Sequence, residues 1–359
     1  MSAAADNYRA IRAMVDKANK DTDIICVVKA DAYGHGAKRF AALYKSLGVK
    51  SYAVSNLDEA VDLRKKLGDG EEMILILGYT DPAYAHVLCR YRLTQTVFSL
   101  DYAIALSANL EEDLPVHIKV DTGMNRLGFP ATEAGAVQVA DALAMPHLIP
   151  DGIFTHFACA DEEDTASTRA QFERFMAMTE ALSGIGITFR ARHVCNSAAT
   201  LRFPEMYLDA VRCGIILYGL SPLDGPVPEL KPVMSLTSKV VHVHRIRAGE
   251  RVSYGGTFVA EKEMRIATVP IGYDDGLLRV YAAECGVYIN GHFAKILGRI
   301  CMDQCMVDIT GIPCEVGDEV EVFGTHQSAD ALARAASSIN YEVTCIVGKR
   351  VPRDEVMSD

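Results

Sequence analysis

SYAVSNLDEAVDLRKKLGDGEEMILILG, Ser51 to Gly78, is one full alternation of β-rich, helical and β-rich sequence. In its middle, Asn56 can cap a helix, Glu59 sits at the reciprocal capping-box position, and Gly68 can end it. The flanking runs are short and almost wholly apolar, as strands covered on both faces are. Working outward, the same unit recurs. β-rich runs begin at Asp23 (DIICVVKA), Thr94 (TQTVFS), Pro115 (PVHIKVD), Asp151 (DGIFTH), Ala191 (ARHVCNS) and Ala210 (AVRCGIILYG), with helix-like segments between them. Eight strand candidates separated by helices predict an α/β fold, a (β/α)8 TIM-like barrel. An open doubly wound sheet shares the alternation, so the count favours the barrel without excluding the sheet.

After about Pro222 the pattern changes. LKPVMSLTSKVVHVHRIRAGERV, EMRIATVPIG, GVYINGHFAKILGRI and GDEVEVFG read as strands divided by glycine-containing turns, and only HQSADALARAASSI reads as helix. The expected organisation is therefore a barrel over residues 1–224 and a mainly β C-terminal domain over 225–359.

Composition narrows the function. Of 359 residues, 50% are hydrophobic, ample for a large core. No apolar run approaches the roughly 20 residues of a membrane span. MSAAADNYRAIRAMV at the N-terminus has no basic stretch leading into an apolar one, so no secretory signal is expected. A net charge of −11 repels phosphate backbones, which argues against nucleic acid as a partner. Ten cysteines without a C-x-x-C pair, several in apolar strand-like segments, read as reduced thiols in a cytoplasmic protein, with no metal site.

The chemistry concentrates in VVKADAYGHGA, Val27 to Ala37. A lysine at the mouth of a buried strand can lose its charge by desolvation, and a neutral amine can form a Schiff base. Tyr33 and the backbone around Gly34 and Gly36 can then hold a phosphate. On residue types alone, a surface lysine after an edge strand is the commoner arrangement.

The whole string resembles the pyridoxal-phosphate attachment site of the alanine racemase family. Further blocks resemble that family in order: HIKVDTGMNRLGF from His117, GIFTHFACADEED from Gly152, HVCNSAA from His193 and VRCGIILYG from Val211. SYGGTF from Ser253, PIGYDDG from Pro270, GRICMDQ from Gly298 and INYEV…RVPR from Ile339 continue the match through the second region. The resemblance implies that Lys29 carries pyridoxal 5'-phosphate and serves as one base, with Tyr254 of a partner subunit as the other. Racemisation needs a base on each face of a planar carbanion. It also implies that Arg212 faces the pyridine nitrogen and, being always protonated, discourages its protonation. Tyr33, Ser197, Tyr341 and the amides of Gly214 and Ile215 are implied to bind the phosphate. Arg126 is implied to bond the Tyr254 phenol, lower its pKa and help the substrate carboxylate. Lys119 matches a position often carbamylated, where it orients Arg126. His156 is implied beside the ring, supporting Arg212. Met302 and Asp303 are implied to come from the partner, with the Met302 amide near the substrate carboxylate, and Tyr273 to support the site from the entrance block.

Two departures from the family pattern stand out. Met1 to Asp6, before a helix expected near Asn7, is too short for the extended segment usual there, so one strand near the domain junction is expected to be missing. Leu277-Leu278 follows PIGYDDG where an aromatic and a proline are more usual. The implied reaction is interconversion of L- and D-alanine by a homodimer, in D-alanine biosynthesis. Serine or broad-specificity racemisation is the nearest rival, and Tyr341, which crowds the side-chain pocket, favours alanine. A non-catalytic pyridoxal-phosphate carrier shares the barrel and its lysine but lacks the second domain with its tyrosine.

Overall fold

The computed structural model describes residues 1–355; positions 356–359 of the expected second domain lie outside the described residues. The chain forms two compact units, one of Met1–Ala32 with Gly36–Lys231, the other of Tyr33–His35 with the chain from Pro232 onward.

The first unit is the closed barrel. Its strands are β1 (Asp23–Val27), β2 (Ser51–Val54), β3 (Met73–Ile76), β4 (Thr94–Val97), β5 (Leu114–Asp121), β6 (Leu148–Phe154), β7 (Ala191–His193) and β8 (Ala210–Cys213). All pair in parallel, and the β4–β5 and β1–β8 pairings close the ring, which decides between barrel and open sheet. The helix Leu57–Leu67 is built as its sequence directs: Asn56 Oδ1 accepts from the Glu59 amide, and Gly68 ends it at φ 81°. The first helix differs from expectation. It spans Ser2–Ala18 rather than starting near Asn7, because the run SAAAD has high helix propensity and puts Ala4 and Ala5 on the face that buries Tyr8, Ile11 and Val15. Burying side chains such as Ile11 and Val15 stabilises by about 1.5–3 kcal/mol each.

The second unit is mostly antiparallel. One sheet orders Leu236–Lys239, Glu319–Phe323, Gly286–Ile289 and His292–Lys295; another orders His242–Ile246, Met264–Val269 and Cys305–Asp308. Ile246, Met264 and Ile266 of the second sheet form a core cluster with Val252, Ala260 and Leu297. The expected helix is present as Ala329–Ala335, but it is not alone: Asn340–Cys345 is helical as well. Val343 and Thr344 are β-branched and weak helix formers, but both are buried, and packing overrides that propensity. No helix among the described residues is long and apolar enough to cross a membrane.

Inside the barrel, Gly152 on β6 faces the imidazole of His117 on β5, and a Cβ there would lie 2.5 Å from the ring. His117 is fully buried and has nowhere to retreat. Gly152→Ala should therefore destabilise by about 1–3 kcal/mol through overpacking, seen as a lower thermal midpoint. An unchanged midpoint would show the interior to be slacker than described.

Candidate active site

The chain after β1 turns the wrong way for L-residues. Ala30, Asp31, Ala32 and Tyr33 all have φ between 51° and 57°, a single left-handed turn following Lys29. Such a conformation costs roughly 1–2 kcal/mol per residue and survives only where its surroundings impose it. Here two carboxylates impose it. Glu59 accepts the Ala30 amide at 2.7 Å on Oε1 and the Ser55 amide at 2.8 Å on Oε2; Asp31 accepts the Ala37 amide at 2.7 Å. The Glu59 carboxylate thus leaves its expected capping-box partner and ties the helix start to the lysine turn.

Arg212, buried near the end of β8, organises the rest of the rim. Its Nη1 donates to His193 Nδ1 and His193 O, both at 2.8 Å. Its Nη2 donates to Thr155 O at 2.7 Å, Val194 O at 3.0 Å and His156 Nδ1 at 3.2 Å. Burial lowers the guanidinium to about 10, so it stays charged at neutral pH. Burial also lowers His156 far below its usual range, helped by the charges of Arg212, Arg126, Lys119 and Lys29. Lys119, near the end of β5, is pushed down to about 7 by burial and by Arg212, against the opposing pull of Asp121. Lys29, Lys119, Arg126, His156 and Arg212 therefore share one electropositive basin in a chain of net charge −11. Ser197 opens the helix Ser197–Arg202, and its Oγ accepts the Gly214 amide at 2.9 Å; Ile215 begins the next helical turn.

The loop bearing Arg126 is fixed from beneath. Asp121 accepts the amides of Gly123 and Asn125 at 2.9 and 3.1 Å. Gly128 has φ 135°, and a Cβ on it would strike the Asp121 nitrogen at 2.6 Å. Gln171 links this loop to the next, donating to Thr122 Oγ1 and His156 O and accepting from the Ala158 amide.

In the second unit, Ser253 has φ 66° and ψ −178°, a region other residues leave to glycine. Its hydroxyl donates to Arg299 O. Tyr254, which follows, is 71% exposed, and Met302 is 51% exposed; together with Ser253, Gly255, Asp303 and Gln304 they line a concavity of about 610 Å³. The segment bearing Met302 is held by backbone pairing, since the amides of Tyr273 and Asp274 donate to Cys301 O and Met302 O. Arg350 holds this arrangement, reaching Asp303 at 2.7 Å and Asp275 at 2.7 and 3.1 Å. Tyr33 packs edge-on against Tyr341 with ring centroids 5.8 Å apart, and Gly34 lies so close to Thr344 O that no side chain fits between them. The sequence-predicted residues thus fall into two groups: Lys29, Lys119, Arg126, His156, Ser197, Arg212, Gly214 and Ile215 in the first unit, and Tyr33, Tyr254, Tyr273, Met302, Asp303 and Tyr341 in the second.

Comparison with known proteins matches both units. Residues 1–222 match the family model for the alanine racemase N-terminal domain, and residues 233–355 that for the C-terminal domain. The chain belongs to the alanine racemase family. It is 45% identical to the alanine racemase of Desulfovibrio desulfuricans over 98% of this chain and 95% of that one. It is 42% identical to alanine racemase 1 of Clostridium acetobutylicum over 97% and 92%. Among solved structures it is similar to the E. faecalis alanine racemase, with TM-score 0.90, 36% identity and coverage of 97% and 95%. The Bacillus anthracis alanine racemase with bound L-Ala-P gives TM-score 0.90 at 33% identity, covering 98% and 92%.

Within this alanine racemase fold, Glu59, Gln171, Arg350 and Asp275 escaped the sequence reading. Glu59 carried a signal, its capping-box spacing, but the second partner lies 29 residues away. Asp275 and Arg350 sit in the PIGYDDG and RVPR blocks, but nothing in those blocks pairs them, and Gln171 carried no signal. Glu59→Ala should leave the helix Leu57–Leu67 protected, since Asn56 still caps it, while hydrogen exchange at the Ala30 and Ser55 amides rises by roughly tenfold or more, the loss expected for a charge-assisted hydrogen bond. Exchange unchanged at both amides would show that the turn stands without Glu59.

Proposed function

We propose that this chain interconverts L- and D-alanine, with pyridoxal 5'-phosphate held at the barrel rim, as a symmetric homodimer in the cytosol. The observation that carries this reading is Tyr254: a large side chain held 71% exposed, next to a strained serine, over a concavity lined by Met302 and Asp303. A bare aromatic kept in place at a cost in backbone strain is a group awaiting a partner surface. The relatives are named for racemisation of alanine, and that reaction needs a second base.

The donor set suits a phosphorylated pyridine aldehyde. An electropositive basin and the amides of Gly214 and Ile215 at the start of a helical turn suit a phosphate, with Ser197, Tyr33 and Tyr341 as hydroxyl donors. The Arg212 guanidinium, which only donates, suits the ring nitrogen. When bound, the cofactor supplies a conjugated system that stabilises the electron pair left on the α-carbon. Lys29 Nζ would hold it and move a proton on one face of the α-carbon. Tyr254 Oη from the other subunit would move a proton on the opposite face. Arg126 and the Met302 amide would orient the substrate carboxylate, His156 would keep Arg212 in place, and Tyr341 would crowd the side-chain pocket against a hydroxymethyl group. Asp303 and Tyr273 would support the Met302 wall.

The reading is tested by assaying L-alanine and L-serine in parallel, with subunit exchange between two inactive variants. Alanine should be the faster substrate. Lys29→Ala and Tyr254→Phe should each abolish activity and complement when mixed. Random exchange makes half the dimers mixed with one intact site of two, so about a quarter of wild-type activity should return. Exchange without recovery would mean that both bases come from one chain.

Lys119 gives a second test. A lysine lowered to about 7 is half neutral at that pH and increasingly neutral above it. The neutral amine adds to carbon dioxide, releasing one proton and forming a carbamate that can accept from Arg126. With 13C-bicarbonate, a carbamate carbon signal should appear as pH rises through 7 and be absent in Lys119→Ala. Its absence at every pH would leave Lys119 a plain amine.

A further inference from the structure

Arg212 is a buried cation, and no carboxylate is among its hydrogen-bond partners in the described residues. Three carbonyls and two imidazoles receive it instead. One of those imidazoles leads on through the barrel. His193 Nε2 lies 2.8 Å from His117 Nδ1, and His117 Nε2 lies 3.1 Å from Asp151 Oδ2. Asp151 is in turn gripped by Arg190, whose Nε and Nη2 donate to its two oxygens at 2.7 and 2.8 Å. Arg190 directly precedes β7 and is exposed, so the chain of contacts runs from the C-terminal rim through the interior to the N-terminal face.

Hydrogen-bond chemistry permits one placement of protons along this chain. A guanidinium only donates, so His193 Nδ1 must accept and its proton sits on Nε2. That proton is donated to His117 Nδ1, which must accept, so the His117 proton also sits on Nε2 and is donated to Asp151. Protonating either imidazole would set two donors face to face, and reversing His117 would aim a lone pair at a carboxylate. Both rings are fully buried, and burial holds both below the usual histidine range.

The backbone is shaped for this contact. Val116 pairs with Pro150 and His117 with Gly152, so Asp151 is the extra residue of a bulge between β5 and β6. Bulges are uncommon between parallel strands and re-aim a side chain. Gly152, the next residue, leaves room for the His117 ring, and Phe154 on the same strand stacks on His193 at 4.8 Å and 14°.

We propose that Asp151 is the counter-charge of Arg212, coupled to it through the neutral imidazoles of His193 and His117, and that it acts as a positioning residue for the rim. Its bearing on catalysis rests on the racemase reading; its proton arrangement does not. Neutron diffraction from the wild-type holoenzyme should find deuterium on Nε2 of both His117 and His193 and none on either Nδ1. Deuterium on either Nδ1 would overturn the proposal whatever the protein catalyses. In kinetics, Asp151→Asn keeps an acceptor for His117 but removes the charge. Its kcat for alanine should fall about fivefold, the size of effect expected along a coupled network, with little change in KM. Arg190→Gln, which leaves the carboxylate, should stay within twofold of wild type. Equal losses in the two variants, or no loss in Asp151→Asn, would reduce Asp151 to an ion-pair partner on the barrel floor and overturn the proposal.

Discussion

A guanidinium inside a barrel can only donate, and that constraint shapes most of what surrounds Arg212. Its two terminal nitrogens need acceptors in fixed directions, and the ends of β6 and β7 supply them as the carbonyls of Thr155, His193 and Val194. The two remaining acceptors, His156 and His193, must then be neutral, as burial also requires. Burial, joined by the repulsion of a cation that stays charged at neutral pH, puts Lys119 near 7 and His156 far below its usual range. The rim is a place where a readily deprotonated lysine and neutral imidazoles persist beside a permanent charge.

The loops around that centre are rigid for identifiable reasons. Glu59 holds a left-handed turn after Lys29, Asp121 holds the loop that bears Arg126, and Gln171 ties that loop to the segment after β6. In the second unit Arg350 bridges Asp275 and Asp303, so the wall beside Tyr254 is anchored by charge while the serine before that tyrosine is strained. Strain at Ser253 and at Ala30–Ala32 falls next to the two side chains assigned to proton transfer, where a fixed geometry matters more than stability.

The barrel was legible because its signals are local. Apolar runs at Asp23, Ser51, Met73, Thr94 and the four later sites each produced a strand, and Asn56 and Gly68 bounded their helix as the spacing required. The block order is what proposes the site residues, since motif identity implies three-dimensional placement that periodicity lacks. What stayed hidden was non-local. Asn340–Cys345 is not expected as a helix, because Val343 and Thr344 carry weak helix propensity and the helix depends on what they pack against. Asp151 reads as a strand-edge aspartate, and only the bulge turns it inward. Arg350 lies 47 positions from Asp303 and no spacing rule joins them.

The central claim, that two bases work on opposite faces of one α-carbon, is tested most directly by incubation with L-alanine in D2O, resolving both enantiomers at low conversion. Two bases predict that D-alanine forms with deuterium at the α-carbon while recovered L-alanine remains mostly protiated. Equal deuteration of both enantiomers, or retention of protium in the D-alanine, would mean that one base serves both faces and would contradict the account.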